Sequence, residues 1–300
     1  MSNPIRILLQ TTITATENDW TIERFSLLTD YLTSLKDQFG SPICEVVARN
    51  READTNGDDP VLSTLDSSDF DELWLFAVDT GEGLSTNDCA GITRFRQRGG
   101  GILTARDHQD LGSSLCSIGG IGGANFFHTR NPDPDTSRCE ADDNETKSIS
   151  WPNYHSGHNG DYQIVQPVEP VHDLLRKPGG RDTLKYFPAH PHEGSVGVPA
   201  GELSARVIVT GRSQTTNRPF NLAVAFERTQ TSGGGALGRG IAESSFHHFA
   251  DYNWDTDKGA PSFVEEAPGD DIKRAPENLE DIKTYVRNVA SWLAPLSKAA

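Results

Sequence analysis

Basic residues are scarce in this chain. Against 43 aspartates and glutamates stand 27 lysines and arginines, a net charge of −16 over 300 residues, and no cluster of lysine or arginine interrupts the acidity. Nucleic-acid partners, which are held through such clusters, are excluded on that ground. Long apolar runs are missing too: no stretch approaches the ~20 residues that span a bilayer, so no membrane partner is expected. The opening Met1-Ser2-Asn3-Pro4 lacks the basic segment and apolar run of a signal peptide, which makes the cytoplasm the expected location. Cysteines number four, Cys44, Cys89, Cys116 and Cys139, with no Cys-x-x-Cys pair. That excludes a disulfide framework and a thiolate zinc site and leaves buried or idle thiols.

Common catalytic signatures are equally absent. Gly119-Gly120-Ile121-Gly122-Gly123 lacks the G-x-G-x-x-G spacing, and the cluster from Gly233 to Gly240 has Arg239 and Gly240 where a P-loop needs Lys and Ser or Thr. Asp54-x-Asn56-x-Asp58 and Asp133-x-Asp135 lack the glycine and distal glutamate of an EF-hand, so solvated acidic loops are expected. There is no H-E-x-x-H helix.

What is present is a strand and helix alternation. Ile5 to Gln10 reads as a buried first strand. Phe25, Leu28, Leu32, Leu35 and Phe39 recur at helical spacing, with Gly40 as the stop. Ile43 to Ala48 is a second strand, Arg51 to Asp69 an acidic loop, and Leu73 to Val78 a central strand covered on both faces. Ser85 and Asp88 form a capping box for a helix carrying Ile92 and Phe95 and ending at Gly99-Gly100-Gly101, and Ile102 to Ala105 is the next strand. Gly119 to about Pro199 is loop-rich, yet its aromatic residues and histidines favour an ordered, site-building insertion. Ala205 to Gly211, Pro219 to Phe226 and Gly238 to Ser244 extend the sheet. A final helix at about 277–293 follows Pro276. The expectation is one α/β domain over 1–300: a mostly parallel sheet with helices on both faces and a long loop-rich insertion at about 119–199.

Ligands of such sheets sit beyond the carboxyl ends of the strands, where this chain places Asp79, Arg106, Asp107 and His108. A second polar stretch, Ser244 to Trp254, follows the strand at Arg239 to Glu243 and holds His247, His248, Asp251, Asn253 and Trp254. Histidine titrates near neutral pH and binds metals, and the clusters Tyr154-His155-Ser156-Gly157-His158 and His190-Pro191-His192-Glu193 add to the set. Asp107, His108, His190, Glu193 and His247 are the candidate catalytic groups. Arg106, His128, Tyr154, His155, His192, His248, Asp251, Asn253 and Trp254 are the candidate ligand contacts, with Trp151, Phe246 and Tyr252 as further stacking walls. A catalytic zinc could draw its ligands from His128, His190, His192, Glu193, His247 and Asp107; an unmetallated acid/base pair fits the same residues.

Three places taken in order resemble the ThuA-like (trehalose-utilisation protein) family of the class I glutamine amidotransferase-like superfamily: Glu82-Gly83-Leu84-Ser85 before the helix ending in three glycines, Gly122-Gly123-Ala124-Asn125-Phe126-Phe127-His128, and Gly238-Arg239-Gly240 leading to Phe246-His247-His248. The resemblance spans roughly Ile5 to Asp255 and implies a flavodoxin-like sheet. In the amidotransferases a cysteine follows the strand that corresponds to Ile102 to Ala105. Here Arg106 takes that place and Cys116 comes ten residues later, so a glutaminase is not expected. The resemblance implies an enzyme of hydrolase or isomerase type acting on a small, carbohydrate-like molecule without a cysteine nucleophile. The alternative is a non-catalytic ligand-binding or assembly protein on the same fold. A small-molecule ligand is the expected partner, and a homo-oligomer stays open.

Overall fold

A computed structural model describes residues 3–15, 19–230, 234–262, 264 and 266–296. Met1, Ser2 and Gly233, named above, lie outside the described residues. Eight strands form the main sheet: β1 (Ile5–Thr11), β2 (Cys44–Arg49), β3 (Glu72–Phe76), β4 (Gly101–Ala105), β5 (Gln166–Pro167), β6 (Ala205–Arg212), β7 (Pro219–Phe226) and β8 (Gly240–Glu243). Their order is β2-β1-β3-β4-β8-β7-β6-β5. The first five in that order run parallel, and β7, β6 and β5 add antiparallel pairs at one side. The parallel part has the flavodoxin-like order 2-1-3-4-5.

Every residue of β3 and β4 is buried, as strands covered on both faces must be. Side chains alternate between two cores with the period of two that a strand imposes. Leu9, Phe76, Leu103 and Ile241 face helices α1 (Ser26–Ser34) and α3 (Leu279–Leu293), whose Leu28, Leu32, Ile282, Val286 and Val289 complete that core. Their neighbours Leu8, Leu75, Ile102 and Ala242 face α2 (Thr86–Gln97) through Ile92 and Phe95. Ser85 and Asp88 do close a capping box at the start of α2. Among the described residues, no helix is long and apolar enough to cross a membrane.

Two local readings need correction. The first helix stops at Ser34, and Phe39, expected on its inner face, is 82% exposed. Asp37 captures the backbone instead: its Oδ1 accepts from the amides of Phe39 and Ser41, an Asx turn that competes with helix continuation. The segment from Arg51 to Asp69 is also more than a loop. Asp59 is fully buried and caps a helical turn at Pro60–Ser63, accepting from the amides of Val61 and Leu62.

The insertion is ordered. Asn125–Phe126 pairs with Ser195–Val196, Tyr162–Ile164 pairs with Tyr186–Pro188, and β5 joins the main sheet as an edge strand. It is locked to the sheet at Gly194, whose amide donates to the Ser244 carbonyl. A Cβ there would lie 2.5 Å from that oxygen and 2.8 Å from Arg106 Nε, so only glycine lets the insertion pass between the tips of β4 and β8.

Candidate active site

Ala105 and Glu243 end the adjacent parallel strands β4 and β8 in register, so the residues after them emerge side by side on one rim. Asp107 and His108 leave β4. His247 leaves β8 in a helical turn, Phe246–Phe249, that Ser245 caps by accepting from the His247 amide. The insertion brings His190 and His192 over the same rim, held by reciprocal amide–carbonyl bonds between Tyr154 and Glu193. These five side chains line a half-open cavity of about 620 Å³. Trp20, Glu145, Thr146, Ser148, Asn159 and Glu266 share its wall. Among the described lining residues none is lysine or arginine.

Asp107 is the centre. Its Oδ1 lies 3.4 Å from His190 Nδ1, and its Oδ2 lies 3.5 Å from His247 Nε2 and 3.9 Å from His108 Nε2. The His190 and His247 rings stack at 3.5 Å with 13° between their planes, and Trp20 meets His247 edge-on at 4.9 Å. Ser245 Oγ is 3.3 Å from His190 Nδ1, and Asn253 Oδ1 is 3.3 Å from His247 Nδ1. Asn253 is itself fixed by donating to Asn159 Oδ1 and the Ala189 carbonyl. His192 Nδ1 is 3.0 Å from Asn153 Oδ1 and 3.4 Å from Asp143 Oδ2.

Burial sets the charges. It pushes the His108 pKa down to about 4 and those of His190 and His192 below the ordinary imidazole range, so all three are neutral at pH 7. Burial alone would raise the Asp107 pKa, but the neighbouring His108 and His247 outweigh it and hold Asp107 below the usual carboxylate range. The cavity therefore presents one carboxylate among imidazole lone pairs, a set that can accept protons or ligate a cation. One donor atom each from Asp107, His190 and His247 lies within 4.8 Å of the other two; Asp161, Asp270 and Asp271 form a second, more exposed group of that kind.

Other candidates stand outside this cavity. Glu193 is fully buried behind it, accepting from Ser156, Gln163 and Ser244. His248 sits beside it, its Nε2 3.1 Å from Glu193 Oε1 and its Nδ1 3.5 Å from Glu243 Oε2. Burial alone would lower the His248 pKa, but Glu193 and Glu243 raise it to about 10, so His248 is a buried cation between two acidic side chains. Arg106 turns away, its guanidinium 4.0 Å over the Phe127 ring and bonded to the Gln109 carbonyl. Tyr154 stacks on Phe220, His128 lies edge-on to Trp151, and His155 is 3.2 Å from the Pro191 carbonyl. Asp251 accepts from Ser26 Oγ and the Leu27 amide at the start of α1, and Trp254 donates to the His248 carbonyl. Asp79 is satisfied by Thr12, Gly81 and Ser114. A long-range partner consumes most of these groups, which sequence spacing does not show. Trp20, Glu145 and Glu266 were missed because each sits in an irregular segment without a neighbouring cluster.

The thiols are poorly placed for nucleophilic work. Burial pushes Cys44 and Cys89 up to about 12 and raises Cys116 as well. Nor does the backbone after β4 form a strained elbow: among the described residues, the positive φ nearest to it belongs to Gln109, at 46°.

No family model matches the chain, and no curated protein matches it. Among solved structures, the glutaminase domain of Trypanosoma brucei CTPS with bound acivicin is similar, with 14% sequence identity, 94% of each chain covered and a TM-score of 0.44.

Proposed function

We propose that this protein is an enzyme of hydrolase or isomerase type acting on a small polyhydroxylated molecule, and that the cavity beyond β4 and β8 is its active site. One observation carries the reading: Asp107, His108, His190, His192 and His247 converge there from three separated chain segments. Clustered titratable groups with shifted pKa values in a cleft favour catalysis over packing. A neutral imidazole takes a proton from a hydroxyl, a water or a carbon beside a carbonyl, and the adjacent Asp107 carboxylate stabilises the imidazolium so formed. Trp20 offers a flat apolar wall, while Glu145, Ser148, Asn159 and Glu266 offer polar partners for hydroxyls, the combination a sugar face and rim require. The ThuA-like sequence resemblance favours the same substrate class. With Arg106 packed on Phe127 and burial raising the pKa values of Cys44, Cys89 and Cys116, the chemistry proceeds without a cysteine nucleophile.

The test is a thermal-shift screen of mono- and disaccharides, sugar acids and keto-sugars, with each hit followed for turnover by NMR. A hit is expected to be converted by the native protein and not by a folded His108→Gln variant. A hit that binds without turnover would identify a binding module instead. Conversion unaffected by His108→Gln would place the chemistry elsewhere.

A further inference from the structure

We propose that His192 is the general base of this cavity, and that two positioning residues behind the wall, Asn153 and Asp143, hold its imidazole in the tautomer that turns a bare Nε2 to the substrate. The inference rests on the cavity being the active site and names the proton acceptor within it. The bridge between Tyr154 and Glu193 sets the geometry. It carries Asn153 and His192, the residue before each partner, into hydrogen-bond reach, with His192 Nδ1 3.0 Å from Asn153 Oδ1.

The tautomer follows from what faces Nδ1. Asn153 is fully buried, and its Nδ2 donates to Asp143 Oδ2 at 3.3 Å and to the Ile149 carbonyl at 3.4 Å. Reversing the amide would set its oxygen against both of those acceptors, so Oδ1 is the atom that points at His192. Asp143 Oδ2 stands 3.4 Å from the same ring nitrogen. Two acceptors facing Nδ1 place the proton there. Burial keeps His192 neutral at pH 7, so its Nε2 holds a lone pair. His192 lines the cavity, whereas Asn153 and Asp143 stand outside the lining, so the end of the ring remote from them meets the substrate.

The second argument is a buried carboxylate without a permanent cation. Asp143 is 3% exposed, and its oxygens accept from the amides of Glu145 and Thr146 as well as from Asn153. Among the described residues no lysine or arginine lies within ion-pair distance of it, and His192 does. When a substrate O–H or C–H bond breaks, its proton forms an N–H bond at His192 Nε2 and the bonding pair stays on the substrate. The imidazolium so formed faces Asp143 through its Nδ1–H, the arrangement in which a buried carboxylate both orients an imidazole and stabilises its charged form. Burial opposes that charge, and Asp107 and Asp143 counter it.

The other imidazoles are less suited. His247 has acceptors, Asn253 Oδ1 and Asp107 Oδ2, at both ring nitrogens. His190 is stacked on His247, and its side chain is 4% exposed against 17% for His192. His108 Nδ1 is buried without a hydrogen-bond partner, so no acceptor there fixes its tautomer. His108, whose ring centre is 5.5 Å from that of His192, serves as the second proton carrier.

The experiment labels the histidines of the full chain with nitrogen-15 and reads each ring's tautomer at pH 7 by NMR from its two nitrogen shifts. The His192 ring is the one whose signals vanish in His192→Gln. The Nδ1–H tautomer is expected for it in the native protein with no ligand added. Asp143→Asn is expected to shift it toward the Nε2–H form, since a donor then stands where Asp143 Oδ2 stood, while the His247 signals stay in place. Should Asp143→Asn fail to fold, the native spectrum decides the tautomer by itself. For any mono- or disaccharide that the native protein converts, His192→Gln and Asp143→Asn are each expected to lower kcat by about 100- to 10,000-fold with KM little changed. A native His192 ring protonated on Nε2, or on both nitrogens at pH 7, would overturn the proposal. Turnover that survives His192→Gln but not His108→Gln would overturn the base alone and leave the cavity as the active site. A sugar bound and never converted would overturn both.

Discussion

Asp107 Oδ2 and His247 Nε2 face each other at 3.5 Å across the tips of two adjacent parallel strands, although 140 residues separate them in the chain. The crossing of the insertion over those tips, through Gly194, adds His190 and His192 to the pair. The site is therefore only as rigid as that crossing.

Gly194→Ala should loosen it. The new methyl meets the Ser244 carbonyl at 2.5 Å and a backbone oxygen of Asp107 as well, and backbone cannot swing aside. Overpacking of this sort costs about 1–3 kcal/mol. Chemical denaturation should register that loss, and limited proteolysis should cut faster within 119–199. Gly123→Ala is the control, since its methyl would meet only Pro199 at 3.5 Å. Equal behaviour of the two variants would contradict the locking role.

His248→Gln should be strongly destabilising without touching the cavity wall. It removes the cation between Glu193 and Glu243, both fully buried, and breaking a buried pair costs about 3–5 kcal/mol. Adding Glu193→Gln should recover part of the loss, because it removes one of the stranded charges. Urea titration of the two single variants and the double variant measures the coupling. Strict additivity would show that His248 does not act as a charge.

Asp59 should give the fold an acid-sensitive component. Burial alone would raise its pKa, but the amide of Glu52, the guanidinium of Arg49 and the amide of Leu62 hold it below the usual range. A carboxylate depressed in the folded state stabilises fully above its unfolded pKa of about 4 and loses that contribution as pH falls through the folded value. Asp59→Asn, which keeps the cap but loses the charge facing Arg49, should therefore melt below the native protein at pH 7, by the equivalent of about 1.5–3 kcal/mol for a lost charge-assisted hydrogen bond. The gap should close as pH falls below about 4. A gap independent of pH would mean that shape, not charge, is what Asp59 contributes.

The sequence by itself determined the sheet. Short, largely apolar runs such as Leu73 to Phe76 and Ile102 to Ala105, alternating with amphipathic helices, read as strands buried on both faces of a helix-covered parallel sheet, and the Ser85 and Asp88 box fixed the start of α2 from four adjacent residues. Local competition was already harder to read: after α1 ends, the Asp37 carboxylate takes the amides of Phe39 and Ser41 into a turn, an alternative to helix that apolar spacing does not reveal. Which histidines meet was decided only by tertiary structure. His247 and His248 are neighbours with the same side chain, yet a short helical turn aims one into the cavity and the other between Glu193 and Glu243. Glu193 and His192 diverge in the same way, one buried behind the wall and one lining it. Spacing along a chain fixes periodicity. The partner that claims a polar group is set by contacts between residues far apart in sequence, and at this rim those contacts run through the insertion.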